Sequence, residues 1–138
     1  MENRYLYRGK RIDNREWVEG FLFMVNDVPY ILPHHKTGQP IHADNLLKTA
    51  VEVLEDTICK CTGLKDKNGK LTWENDIANC MDAECCGYIS WNESEAGFYF
   101  DVLLEDGRFE EEHIYDYQDC MEVIGNTIDN PELLEAQE

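Results

Sequence analysis

Phe98-Tyr99-Phe100-Asp101-Val102-Leu103-Leu104 is followed by Glu105-Asp106-Gly107 and then by Arg108 to Tyr115. In an extended chain Phe98, Phe100 and Val102 fall on one face, and Tyr99 and Asp101 on the other. That period of two predicts a strand with one dry side and one wet side. Asp106-Gly107 supplies the turn, so Arg108 to Tyr115 reads as the strand that comes back.

The same pattern extends in both directions. Upstream, strands are predicted at Tyr5 to Arg8, Glu16 to Val25, Val28 to Leu32, Ala50 to Leu54, Thr57 to Thr62, Leu71 to Trp73, Ile77 to Met81 and Cys85 to Trp91. Downstream comes Met121 to Asn126. Gly20 inside the second strand implies a bulge or a close backbone approach, and Pro29 argues that the third lies at a sheet edge. Asp13-Asn14 and Asn26-Asp27 are turns. Lys65 to Lys70 is a tight turn in which Asn68-Gly69 supplies positive φ angles for a two-residue hairpin loop. Asp66 is placed to cap that turn with its own side chain. Pro33 to Pro40 is a loop. Asn130-Pro131-Glu132 has the form of a helix start, with Leu133 and Leu134 to dock a short C-terminal helix. Short strands with turns about every ten residues predict a mostly β fold, either barrel or sandwich.

The chain has 138 residues, 29 of them Asp or Glu against 12 Lys or Arg, for a net charge of −17. Such a surface repels phosphate backbones and anionic membranes, so direct nucleic-acid and membrane binding are not expected. Basic proteins, cations or simply water are the compatible partners, and solubility is the simpler reading of the charge. The signs are also segregated. Arg4, Arg8, Lys10, Arg11 and Arg15 cluster near the start, and Asp101 to Glu122 is acidic. A basic end and an acidic end would favour head-to-tail self-contact in a homo-oligomer, but such segregation is more often a solvated strand face. No run of about 18 apolar residues predicts a membrane helix. The first ten residues have no apolar signal-peptide core, so a cytoplasmic location with six reduced cysteines is expected.

Three segments carry a resemblance. They are Tyr7-Arg8-Gly9-Lys10-Arg11-Ile12-Asp13-Asn14-Arg15-Glu16-Trp17-Val18-Glu19-Gly20, Cys61-Thr62-Gly63-Leu64 through Trp73-Glu74-Asn75-Asp76-Ile77, and Glu122-Val123-Ile124-Gly125-Asn126 through Asn130-Pro131-Glu132-Leu133-Leu134. In this order they resemble the YopX family of phage and prophage proteins, over nearly the whole chain. The resemblance implies one domain over residues 1–138: a small N-terminal β lobe at about 1–58 and an SH3-like β-barrel at about 59–138. It also implies a bacterial host cell and no established activity, so no catalytic residues are carried over. Arg15 and Asn75 stand where the family often has Gly.

The remaining candidates rest on chemistry. Cys59, Cys61, Cys80 and Cys85, with Cys86 adjacent, are the weak metal candidates. Their spacing lacks the Cys-x-x-Cys knuckles that zinc usually takes, and small buried hydrophobes are the simpler account. Glu74 and Asp76 are a possible carboxylate pair, but strand-end carboxylates are more often solvated at a rim. His34, His35, His42 and His113 read as solvated. Trp17 and Trp73 are apolar anchors. Tyr5, Tyr7, Tyr30, Tyr88, Trp91, Tyr99, Tyr115 and Tyr117 lack the positive groove of a single-strand binder and read as core and rim.

The expected function is therefore a non-catalytic protein-binding module, without cofactor, whose partner is an unknown protein. One alternative is an acidic nucleic-acid mimic, which needs a linear acidic face from Asp101 to Glu122. Another is a metal-dependent hydrolytic enzyme built on the cysteines and histidines.

Overall fold

A computed structural model describes residues 5–33, 49–81 and 84–135. His34, His35, His42, Arg4 and most of the Pro33 to Pro40 loop lie outside the described residues. The fold is mostly β, and packing divides the chain into two units, Met1–Cys61 and Thr62–Glu138.

In the first unit the strands are β1 (Tyr7–Lys10), β2 (Trp17–Val25), β3 (Val28–Pro33) and β4 (Val51–Glu52), and β5 (Cys59–Lys65) begins there. They run β4-β3-β2-β1-β5, with antiparallel pairing. Asn26 and Asp27 both take positive φ, 51° and 66°, so they form the two-residue turn whose twist matches a hairpin. Gly20 marks a close approach rather than a bulge: a Cβ there would run into the Leu32 carbonyl of β3. Pro29 does not put β3 at an edge, because β4 pairs with Tyr30 and Ile31. It limits β4 instead. The Pro29 carbonyl accepts the Val53 N–H at 3.2 Å, but Pro has no N–H to return, and Val53 turns to bridge Arg11. Hence Ala50 to Leu54 yields a two-residue strand. Leu6, Ile31, Val53, Cys59 and Cys61 are buried in this unit.

In the second unit β5 continues and pairs with β6 (Leu71–Trp73). The connecting turn differs from the expected two-residue form. Only Gly69 is at positive φ, and the Asp66 N–H donates to the Lys70 carbonyl at 2.8 Å, closing a longer loop. The main sheet has five strands: β7 (Asp76–Cys80), β8 (Cys85–Asn92), β9 (Gly97–Leu103), β10 (Phe109–His113) and β11 (Met121–Asn126). Their order is β10-β9-β8-β7-β11, all antiparallel.

This sheet is not a closed SH3-like barrel. After β10 the chain enters a 3-10 turn at Ile114–Asp116 and runs to Cys120 before β11 begins at the far edge. Ile114 is buried in the same core as Ala78, Ile89, Phe100, Val102 and Met121, and Tyr117 and Cys120 pack against it. The crossing segment thus packs into the core of this sheet, and β11 pairs with β7 instead of β10.

The expected C-terminal helix is a single 3-10 turn, Pro131–Leu134. Asn130 does not cap it. Its Oδ1 accepts the Asn126 N–H at 3.3 Å, turning the cap backward onto β11. No helix among the described residues is long and apolar enough to cross a membrane.

Candidate functional site: the aromatic and carboxylate face of the five-stranded sheet

Residues directly opposite on paired strands share a face. The register therefore sorts the second unit into two surfaces. Gly87, Ile89 and Trp91 of β8, and Phe98, Phe100 and Val102 of β9, point to the core side. On the other side two rows cross three strands. One is Tyr88–Asp101–Glu111 and the next is Ser90–Tyr99–His113.

Side-chain contacts tie these rows together. The Ser90 hydroxyl donates to Asp101 Oδ1 at 3.1 Å, and Asn92 Nδ2 donates to Glu111 Oε1 at 3.4 Å. Tyr88 meets Phe109 edge-on at 5.2 Å, and Tyr99 lies against His113 at 5.3 Å between ring centres. Burial, the hydrogen bond with Asp101 and the charges of Asp101 and Glu111 together push the Tyr88 phenol up to about 12. It therefore stays a hydroxyl donor at neutral pH. Phe109, Glu111 and His113 are exposed, and the other members of the rows are half-buried.

Aromatic rings beside carboxylates form a surface for a cation: the rings present their faces and the carboxylates supply the charge. The same geometry is poor for nucleophilic attack. Ser90 gives its proton to Asp101, and Tyr99 stands between Ser90 and His113, two strand spacings or roughly 10 Å apart.

The other sequence candidates fall elsewhere. Cys59 and Cys61 are buried on β5 in the first unit, whereas Cys80 and Cys85 face each other across β7 and β8 in the second. Among the described residues no group of three or more His, Cys, Asp or Glu side chains is placed to hold a metal ion. Asp76 is not a solvated rim carboxylate. It is buried and accepts the Trp73 N–H at 2.8 Å, while Glu74 beside it is half-exposed. Asp66 does cap its turn. Its Oδ1 accepts the Asn68 and Lys70 N–H groups, both at 2.9 Å, and its Oδ2 accepts the Val123 N–H at 3.1 Å. Burial pushes this carboxyl up, but the three backbone donors outweigh it and hold it below the usual carboxylate range.

The acidic run does not make a linear face. Glu111 lies on the surface just described, Glu110 and Glu112 point to the opposite side, and Asp106 is taken by Arg108 at 2.6 Å. The basic N-terminal residues are also engaged locally. Arg8 and Lys10 lie over the Trp17 ring at 4.7 and 5.4 Å, and Arg11 pairs with Asp13 at 2.8 Å. Trp91 packs on Phe98 and Tyr117 on Phe100, while Tyr5 and Tyr115 are exposed.

These features define a small all-β protein built from antiparallel strands, with ionisable and aromatic side chains gathered on one sheet face. The family model described as YopX protein matches residues 6–135, and the chain belongs to that family. No curated protein matches it. Arg15 and Asn75 both sit at positive φ, 64° and 73°, the left-handed region that favours Gly. At Gly125 a Cβ would come within 2.6 Å of Asn130 Oδ1 and 3.0 Å of Leu133 Cδ1, so both side chains would have to shift.

Proposed function

We propose that this YopX-family chain is a phage- or prophage-encoded accessory protein that acts without catalysis, by binding a basic protein segment. The observation that carries the reading is the Tyr88–Asp101–Glu111 row with Phe109, Tyr99 and His113 around it. The −17 charge supports it, since long-range attraction selects cationic partners and speeds their encounter. The edge strand β10 contributes as well. Among the described residues it has a neighbour on one side only, so its outward backbone groups can pair with an extended peptide. Its glutamates would repel an acidic strand and accept a basic one.

The test is titration calorimetry of the full chain with an extended Lys/Arg-rich peptide and with an acidic peptide of equal length. Saturable binding of the basic peptide alone, weakening as salt rises and lost in Asp101→Asn/Glu111→Gln, is the expected result. Equal binding of both peptides, or saturable turnover in a hydrolase screen that the same double variant abolishes, would overturn the reading.

A further inference from the structure

Cys80 closes β7 and is fully buried. Its partner across β8 is Cys85, and its partner across β11 is Met121, the residue after Cys120. The Cys120 thiol donates to the Tyr117 carbonyl at 3.4 Å, and the Cys80 thiol reaches the same oxygen at 3.6 Å. Two sulfurs, one from the end of β7 and one from the end of the crossing segment, therefore converge on one backbone oxygen, with a third cysteine across from Cys80 on β8. All three are free thiols. Core packing alone asks only for small apolar side chains here, and it does not require two of them to share an acceptor.

We propose that Cys80 and Cys120 form an oxidisable dithiol that closes to a disulfide when a hydroperoxide reaches Cys120. The roles follow from burial. Cys120 is half-buried and borders the turn, so a small oxidant reaches it first. Cys80 is held in its thiol form, far above the ordinary thiol range, by burial and then by its neighbours Cys120 and Cys85. It is therefore the resolving group and not the first to react. In the first step the Cys120 thiolate attacks the peroxide O–O bond. It becomes the sulfenic acid, and the alcohol or water leaves. In the second step the Cys80 sulfur displaces the sulfenic hydroxyl, which departs as water with the Cys80 proton, leaving one S–S bond. The product ties the end of β7 to the start of the edge strand β11.

The experiment treats the reduced full chain with an equimolar alkyl hydroperoxide at neutral pH and counts thiols after denaturation. Two of the six cysteines should be lost, the chain should stay monomeric on a non-reducing gel, and peptide mapping should recover a Cys80–Cys120 bridge. Cys120→Ser should keep all its remaining thiols, whereas Cys86→Ser should still lose two. An unchanged thiol count in the unaltered chain, or a bridge joining Cys80 to Cys85 or any other pair, would overturn the assignment. The mapping needs no variant, so a poorly folding Cys120→Ser does not remove the test.

Discussion

On β9, Phe98, Phe100 and Val102 face the core while Tyr99 and Asp101 face away from it, and β8 alternates in the same way with Ile89 against Tyr88 and Ser90. Neighbouring residues on one strand thus serve different ends. The core side carries the packing of Ile89, Phe100, Ile114 and Met121. The opposite side carries hydroxyls, rings and carboxylates that contact one another and are half-buried or exposed. What this teaches is that core packing and polar contacts alternate along the same strands of the second unit, so substitutions at neighbouring positions should act on different properties.

The largest effect should come from breaking the core side. Phe100→Ala removes a fully buried ring and should cost about 3–5 kcal/mol in urea unfolding, whereas Tyr99→Ala, one residue away, should cost far less. Equal losses would erase the distinction between the faces.

Next comes Asp66, which belongs to neither face but joins the β5–β6 turn to β11. Asp66→Asn weakens three backbone hydrogen bonds and should cost about 1–3 kcal/mol. Because the folded carboxyl lies below its unfolded value, its contribution is present above the unfolded pKa and lost as pH falls through the folded one. Acid titration of stability should therefore be flatter in the variant than in the parent over that acidic window.

A smaller effect sharpens the contact side. The Tyr88 phenol, raised to about 12, should contribute stability that is complete below the unfolded value of about 10 and is lost as pH climbs through the folded one. Tyr88→Phe should abolish that alkaline loss while changing neutral-pH stability little. The smallest effect concerns the first unit. Arg15 at φ 64° is strained, and Arg15→Gly should raise stability by a few tenths to about 1 kcal/mol in thermal or urea melts.

Much of the strand set was legible because alternation is local. Phe98 to Leu104 and Met121 to Asn126 announce themselves by side-chain type, and β11 has those very limits. The topology was not legible in the same way. Nothing in Ile114 to Cys120 signals that this stretch packs into the core and carries the chain from β10 to the strand beside β7, so closure into a barrel looked natural. Asp76 looked like a rim group because its acceptor role depends on the Trp73 N–H folding back over it. The aromatic and carboxylate face was hidden for a similar reason. Tyr88, Asp101 and Glu111 are far apart in sequence and form a row only once the register of β8, β9 and β10 is fixed. Cys120 sits in a turn with no pattern of its own, and its closeness to Cys80 comes from the pairing of β11 with β7.

The most direct measurement is residue-resolved NMR of the full chain titrated with a Lys/Arg-rich peptide. Shift changes concentrated at Tyr88, Tyr99, Asp101, Phe109, Glu111 and His113, with the amides of Ile89 and Phe100 nearly still, are the predicted outcome. Saturable shifts that leave those six positions unmoved, or none at all at millimolar peptide, would contradict the account.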